Sequence, residues 1–228
     1  MSTHDALTYL PRSRVIEFPK RYVIYDAARP SEHLYLVLRG RVKVFSTADN
    51  GAQTLLRIVT PERFFGETAL VPADTSLRET AVAMDSTHTM SWSAEKLAES
   101  IEREPRLALA LFQHFAERNL VHQERVCAAA SYKTGVRVAL ALVQLAHSIG
   151  AATGSGAMRI AGLTHHSLAD YVGTTREIVT LEMNRLRRLG YLEYTRRYLD
   201  VHADALTAFV REQGVTIAAR HSASSATC

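Results

Sequence analysis

The stretch LTHHSLADYVGTTREIVTLEMNRLRRLGYL, residues 163–192, carries the spacing that decides how the C-terminal part of this chain folds. Leu168 and Ala169 sit inside a helical pattern, Gly173 follows four residues after Ala169, and Val179 comes six residues after Gly173. Two helices that cross at a tight corner need these residue types at these places. A small residue lets the second helix pass over the first, a glycine supplies positive φ in the turn, and a branched aliphatic faces back into the corner. The joint spacing predicts a helix-turn-helix. Thr174-x-x-Glu177 reads as a capping box, which starts the second helix just after Thr174.

This register places Thr175, Arg176, Glu177 and Thr180 on the first turns of the second helix, the part that enters the DNA major groove in such a motif, with Thr174 at its cap as a further candidate DNA contact. Arg176 suits bidentate donation to guanine O6 and N7, and Glu177 suits acceptance from cytosine N4. The plainer alternatives are that Glu177 only caps the helix and that Arg176 only grips phosphate. His165, His166 and Ser167 open the first helix, where backbone N–H groups meet a phosphate. Neighbouring histidines on a helix point in different directions, so a shared metal is not expected. Farther on, YLEYTRRYLDV (191–201) alternates around Arg196 and Arg197 and reads as a hairpin. Its tip either touches phosphate as a wing or is a solvated turn.

Upstream, Gly135–Ser148 reads as a helix with Val138, Leu142, Leu145 and Ala146 on its inner face, followed by AATGSGA (151–157), a loop of small residues. Arg106–Ser131 contains no Gly or Pro and predicts one helix of about seven turns. Its apolar residues Leu107, Leu111, Phe115, Val121 and Val126 need a partner, either the chain's own domain or, more simply, a second copy. Ser93 is placed to cap a short helix that ends before Pro105. Before Ser93 the pattern is that of strands. LYLVLR, then Gly40, then RVKV reads as strand, tight turn, strand, and Asn50-Gly51 marks a hairpin before Leu55–Val59. Many short strands separated by turn residues suggest a small antiparallel roll.

The 228 residues, 47% hydrophobic and 22% charged, exclude a fibrous, low-complexity or wholly disordered chain. No apolar run approaches the ~20 residues of a membrane span, and the N-terminus lacks the apolar core of a signal peptide, so a soluble, cytoplasmic protein without a membrane partner is expected. Two distant cysteines, Cys127 and Cys228, offer neither a disulfide framework nor a metal-binding pattern. The net charge of +4 is uneven: residues 1–105 hold 13 Lys/Arg against 14 Asp/Glu, and the remainder 14 against 9. An excess of positive charge on one module fits a nucleic-acid surface. No nucleophile elbow, phosphate loop, paired carboxylates or metal cluster points to an enzyme.

The order of roll, long helix and winged helix-turn-helix resembles the cyclic-AMP receptor / fumarate–nitrate regulator (Crp/Fnr) superfamily of transcription regulators. The resemblance rests on LYLVLRGRVKV (34–44), FFGETAL (64–70), Arg137-Val138-Ala139 and LADYVGTTRE (168–177), and covers roughly residues 15–205. It implies an α+β protein: an N-terminal antiparallel β-roll of the cyclic-nucleotide-binding type over 1–105, a dimerisation helix over 106–132, a DNA-binding domain over 133–212 and a tail over 213–228. It further implies double-stranded DNA, a second copy of the chain and RNA polymerase as partners. An effector, cyclic AMP or another small molecule, would bind in the roll, and the DNA-binding domains would rotate about a hinge near Ser131–Gly135. The effector residues carried over are Gly66, Glu67, Thr68, Arg78, Thr80, His122 and Gln123.

Three departures stand out. The family places Arg directly before a Ser/Thr-Ala pair as a fixed cation for the cyclic phosphate; here Glu79 precedes Thr80-Ala81, and Arg78 is displaced by one. On a strand that displacement turns a side chain to the opposite face unless a bulge restores it. His122-Gln123 replaces the adenine-contacting Thr-Ser pair, and His122 reads equally as an interface histidine. In the reading helix Leu181 and Glu182 have exchanged characters, which leaves Leu181 to touch a thymine methyl. The departures argue against cyclic AMP as the effector. They leave open a regulator without an effector, its pocket vestigial, and a sensing subunit with no DNA output.

Overall fold

The computed structural model describes residues 4–71, 78–195 and 198–215. They divide into two compact units at residues 127/128. The expected hairpin-tip residues Arg196 and Arg197, most of the tail and Cys228 lie outside the described residues.

The first unit begins with α1 (His4–Tyr9) and continues as eight strands: β1 (Ile16–Phe18), β2 (Val23–Tyr25), β3 (His33–Arg39), β4 (Val42–Thr47), β5 (Gln53–Val59), β6 (Phe64–Phe65), β7 (Glu79–Ala83) and β8 (Thr87–Ser93). A 3-10 turn, Glu67–Leu70, follows β6. The strands form two antiparallel sheets, ordered β1-β8-β3-β6 and β2-β7-β4-β5. β3 and β4 therefore do not pair, as a simple strand-turn-strand reading of LYLVLRGRVKV would have them. The turn at Gly40 carries the chain from one sheet to the other. The Asn50-Gly51 turn does join a pair, with β4 and β5 in register from Val42↔Val59 to Thr47↔Gln53 across one irregularity at Val44/Phe45.

The unbroken apolar run of β3 follows from burial on both faces. Val37 packs with Tyr25, Val42, Val44, Val59, Phe65 and Ala81 inside the roll. Leu34 and Leu36 join Phe64 and Trp92 on the outer face, against Leu97 of α2 (Ala94–Arg103) and Leu107, Ala110 and Leu111 of α3 (Arg106–Ser131). Ser93 caps α2 as expected, its side chain accepting from the Lys96 N–H. The long helix α3 runs without interruption over Arg106–Ser131, and the division between units falls within it.

The second unit is built around α4 (Thr134–Ile149), in which every residue from Val138 to Ala146 is buried. A helix apolar on all sides needs cover all round. Its one buried polar side chain, Gln144, accepts from the Tyr171 hydroxyl at 3.3 Å. β9 (Ala151–Ala152), β10 (Met158–Ala161), β11 (Leu192–Tyr194) and β12 (Tyr198–Val201) form a sheet ordered β11-β12-β10-β9. The expected hairpin is the β11–β12 pair. The expected small-residue loop supplies both β9 and the turn of a second, short hairpin, β9–β10, which the low strand propensity of Ala151 and Ala152 hides in the sequence. α5 (His165–Val172), α6 (Arg176–Arg188) and α7 (Ala203–Glu212) complete the unit.

Candidate nucleic-acid interface and effector pocket

α5 starts at Thr164, whose hydroxyl accepts from the Ser167 N–H at 3.0 Å. It ends at Gly173, with φ 73° and its N–H bonded to the Ala169 carbonyl. Only a residue at ease in the left-handed region closes the helix this way and redirects the chain into the corner. The cap of α6 lies one residue later than the capping box predicts. Thr175 is the N-cap and accepts from the Ile178 N–H at 3.4 Å, which leaves Thr174 in the turn. Glu177 does serve the start of the helix: hydrogen bonds from its own backbone N–H and from Thr175 hold its carboxyl below the usual range.

Val179, Met183 and Leu186 form the buried face of α6. Thr175, Arg176, Glu177, Ile178 and Leu181 are exposed, Leu181 to 63%. An apolar side chain so exposed at the reading face is available to a thymine methyl. Thr180 and His165 hold each other: the Thr180 hydroxyl donates to the Arg176 carbonyl at 2.8 Å and meets His165 Nδ1 at 2.9 Å. His165 also stands edge-on to Tyr194, with 5.5 Å between ring centroids. Burial, aided by Arg176, lowers its pKa. His166 is exposed, 3.7 Å from Asp170, and Ser167 is half-buried beside Thr164.

The exchange of characters at 181 and 182 has a packing reason. Glu182 turns inward, and its Oε2 would lie 2.7 Å from a Cβ placed on Gly135 in the first turn of α4. Lys133, the N-cap of α4, makes no side-chain cap bond. The Glu182 carboxylate thus lies near the positive end of α4, where negative charge is stabilising. Arg137 links the same corner to the end of α3, donating to the Gly173 carbonyl at 3.2 Å and the Ala129 carbonyl at 3.5 Å. Arg185, Arg187 and Arg188 in the last turn of α6 add basic surface that the helix-turn-helix spacing does not mark.

In the roll, the candidate effector residues fall in two places. β7 runs in unbroken register with β4, from Ser46↔Glu79 to Val42↔Ala83, so no bulge brings Arg78 back. Glu79, Ala81 and Ala83 face inward. Arg78 is 73% exposed and pairs with Asp49 at 3.5 Å. Arg78 and Thr80 line an open groove of about 460 Å³ with Asp26, Thr47 and Asp49. Glu67, by contrast, is half-buried beside Gly66 and Thr68 in an ion cluster. Its Oε1 accepts from Arg57 of β5 and from Arg118 of α3, each at 2.6 Å. Arg57 also lies 3.6 Å from Glu79, and the Tyr25 hydroxyl donates to Glu79 at 3.4 Å.

The two carboxyls respond in opposite directions. Burial works to raise Glu67, but Arg57 and Arg118 outweigh it and hold Glu67 below the usual range. Burial raises Glu79, Glu67 adds to the rise, and Arg57 offsets only part of it. His122 is half-buried on α3, and burial beside Arg125 and Arg118 lowers its pKa to about 4, whereas Gln123 is exposed. Arg125 donates to the carbonyls of Leu56 and Leu55 at 2.7 and 3.1 Å, a further tie between α3 and β5. Arg57 leaves a trace in the sequence as the one charge inside LLRIV; nothing local marks Arg118.

Residues 15–104 match the cyclic nucleotide-binding domain family and residues 136–209 the Crp-like helix-turn-helix domain family. The chain is 30% identical over 163 residues to transcriptional regulator SdrP of Thermus thermophilus, covering 72% of this chain and 76% of that protein. It is 28% identical over 185 residues to the CRP-like cAMP-activated global transcriptional regulator of Mycobacterium tuberculosis, covering 78% and 79%. Among solved structures, a CRP/FNR-family transcriptional regulator from Thermus thermophilus is 25% identical with a TM-score of 0.70, covering 87% and 98%. FixK2 from Bradyrhizobium japonicum shares the fold with a TM-score of 0.74 at 19% identity, covering 92% and 100%. The chain belongs to the Crp/Fnr family of transcription regulators. Among the described residues, no helix is long and apolar enough to cross a membrane and no group of three metal-ligating side chains occurs.

Proposed function

We propose that the protein works as a homodimer on a two-fold symmetric operator in cytoplasmic DNA, reading bases with the N-terminal turns of α6. The observation that carries this reading is the division of α6 into a buried face of Val179, Met183 and Leu186 and an exposed face led by Arg176 and Leu181. Arg176 reads guanine, Leu181 touches a thymine methyl, and Glu177 both caps α6 and faces cytosine. His165, His166, Ser167, Thr174 and Thr175 lie toward the phosphates, and Thr180, tied to His165, fixes the first turn. The second copy packs along α3, where Leu109, Phe112, Leu120 and Val126 are exposed, Val126 to 69%. Half-sites then lie about one helical turn apart. Contact with RNA polymerase is the route to transcription. Wing contacts by Arg196 and Arg197 belong to the same reading.

The test is Arg176→Ala, measured by fluorescence anisotropy on an operator selected from a randomised duplex pool. Specific affinity falls by about 1–3 kcal/mol, while affinity for random DNA changes little. Equal losses on both DNAs would remove the base-reading role. A regulatory subunit with no DNA output would show no selected duplex and no salt-dependent retention.

A further inference from the structure

A cyclic nucleotide, the effector class of the family matched by residues 15–104, brings a buried phosphodiester that carries one negative charge. The roll's interior already contains two carboxylates, Glu67 and Glu79, and two guanidinium groups, Arg57 and Arg118. The four charges sum to zero. Each is largely withdrawn from water, with side-chain exposures of 16%, 6%, 13% and 25% in that order. A phosphate entering here would leave the cluster with an uncompensated negative charge in a poorly solvated site, which is costly unless a cation comes with it. Arg78, the nearest cation along the chain, is on the opposite face of β7 and paired with Asp49. The cyclic nucleotide therefore does not fit the residues present.

The same geometry shows what stands in its place. The Glu79 carboxylate is held between the Tyr25 hydroxyl and Arg57. Arg57 passes the contact to Glu67, and Glu67 to Arg118 on the long helix. Arg57 Nε and Arg118 Nε and Nη1 are buried and have no hydrogen-bond partner among the described residues. Glu67 Oε2 is likewise buried without a partner, so three unpartnered nitrogens stand against one unpartnered oxygen, an imbalance of donors over acceptors that neutral oxygens can meet without added negative charge. We propose that Glu79 is a built-in anion: facing Arg57, it supplies the second negative charge of a cluster in which Glu67 bridges Arg57 and Arg118, so the roll grips α3 without an effector and DNA binding does not respond to cyclic nucleotides. The proposal rests on the DNA-binding reading only for its second half.

The experiment uses the full-length protein and cyclic AMP as the probe, followed by calorimetry and by operator anisotropy. Wild-type protein is expected to give no saturable heat up to millimolar cyclic AMP and less than a twofold change in operator affinity. Glu79→Gln, which removes one negative charge with little change of shape, is expected to bind cyclic AMP at least tenfold more tightly than wild type, with inorganic phosphate competing. If Glu79→Gln fails to fold, Glu79→Met makes the same charge change with an apolar side chain. Saturable binding of cyclic AMP to wild type with a matching tenfold change in operator affinity would overturn the proposal. So would a folded, dimeric Glu79→Gln or Glu79→Met protein indifferent to both anions. Failure of wild type to bind any duplex would strike the DNA-binding reading instead, and the anion titrations, which need no DNA, would still decide the role of Glu79.

Discussion

Arg176 and Arg57 show two ways in which one residue type acquires a role. Arg176 lies in the first turn of a helix whose start, finish and buried face are set within thirteen residues, and it is exposed because the positions around it are the buried ones. Arg57 interrupts an apolar strand and is only 13% exposed, because Glu67, ten residues on, and Glu79, twenty-two residues on, come from other elements to meet it. The first site is local, and its functional side chains are free to meet another molecule. The second is non-local, and its side chains are used up on one another. Charges at the reading face should therefore matter for binding and little for stability, and charges in the roll the reverse.

The strongest way to break that contrast is Glu67→Ala. Removing the carboxylate shared by Arg57 and Arg118 leaves one positive charge in excess in a poorly solvated site, with Arg118 losing its partner and Arg57 keeping only Glu79, and denaturant unfolding should report a loss of about 3–5 kcal/mol. A loss below about 1 kcal/mol would mean that the cluster is solvated and the contrast false.

Next in size is a pH effect centred on His114, which packs edge-on against Phe64 at 5.1 Å and is 6% exposed. Burial, reinforced by Arg63 and Arg118, lowers its pKa to about 4. The neutral imidazole is the form the fold favours, so its contribution is complete above the ordinary histidine pKa of about 6.5 and is lost as pH falls toward 4. Unfolding measured at pH 7.5 and pH 5 should differ by on the order of 2 kcal/mol from this group. His114→Phe should flatten the profile over that range, and an unchanged profile would reassign the effect. His122, lowered for the same reason but half-exposed, adds a smaller share.

Two smaller effects sharpen the reading-helix side. Thr175→Ala should cost about 1 kcal/mol of stability as the loss of an N-cap, and Thr174→Ala clearly less. The reverse order in thermal unfolding would restore the capping box at Thr174. Arg176→Ala should leave stability within about 0.5 kcal/mol of wild type while weakening operator binding. A large loss of stability would show that Arg176 is a structural residue.

Much of the architecture is legible along the chain because it is written in short-range terms. The Ala169–Gly173–Val179 spacing, the Ser93 cap and the uninterrupted Arg106–Ser131 segment each depend on residues within a few turns of one another, and each appears where the pattern places it. The misreadings share one cause. Nothing between Leu38 and Val42 says that β3 and β4 belong to different sheets, since strand pairing is chosen by partners far away in the chain. The β9–β10 hairpin has only two alanines for its first strand and a few short-range bonds, and its second strand, Met158–Ala161, takes its place beside β12, forty residues on. Glu182 looks misplaced on α6 until Gly135 is brought against it.

Glu79 marks the boundary most clearly. Its identity, its place before Thr80-Ala81 and the displacement of Arg78 can all be read from the linear order, and they already argue against a bound cyclic phosphate. That Glu79 is buried, faces Arg57 and Tyr25, and is linked through Glu67 to Arg118 could be decided only in three dimensions. Charge pairing in a poorly solvated interior depends on distances of a few ångströms, and those distances join residues from β2, β5, β7, the turn after β6 and the long helix.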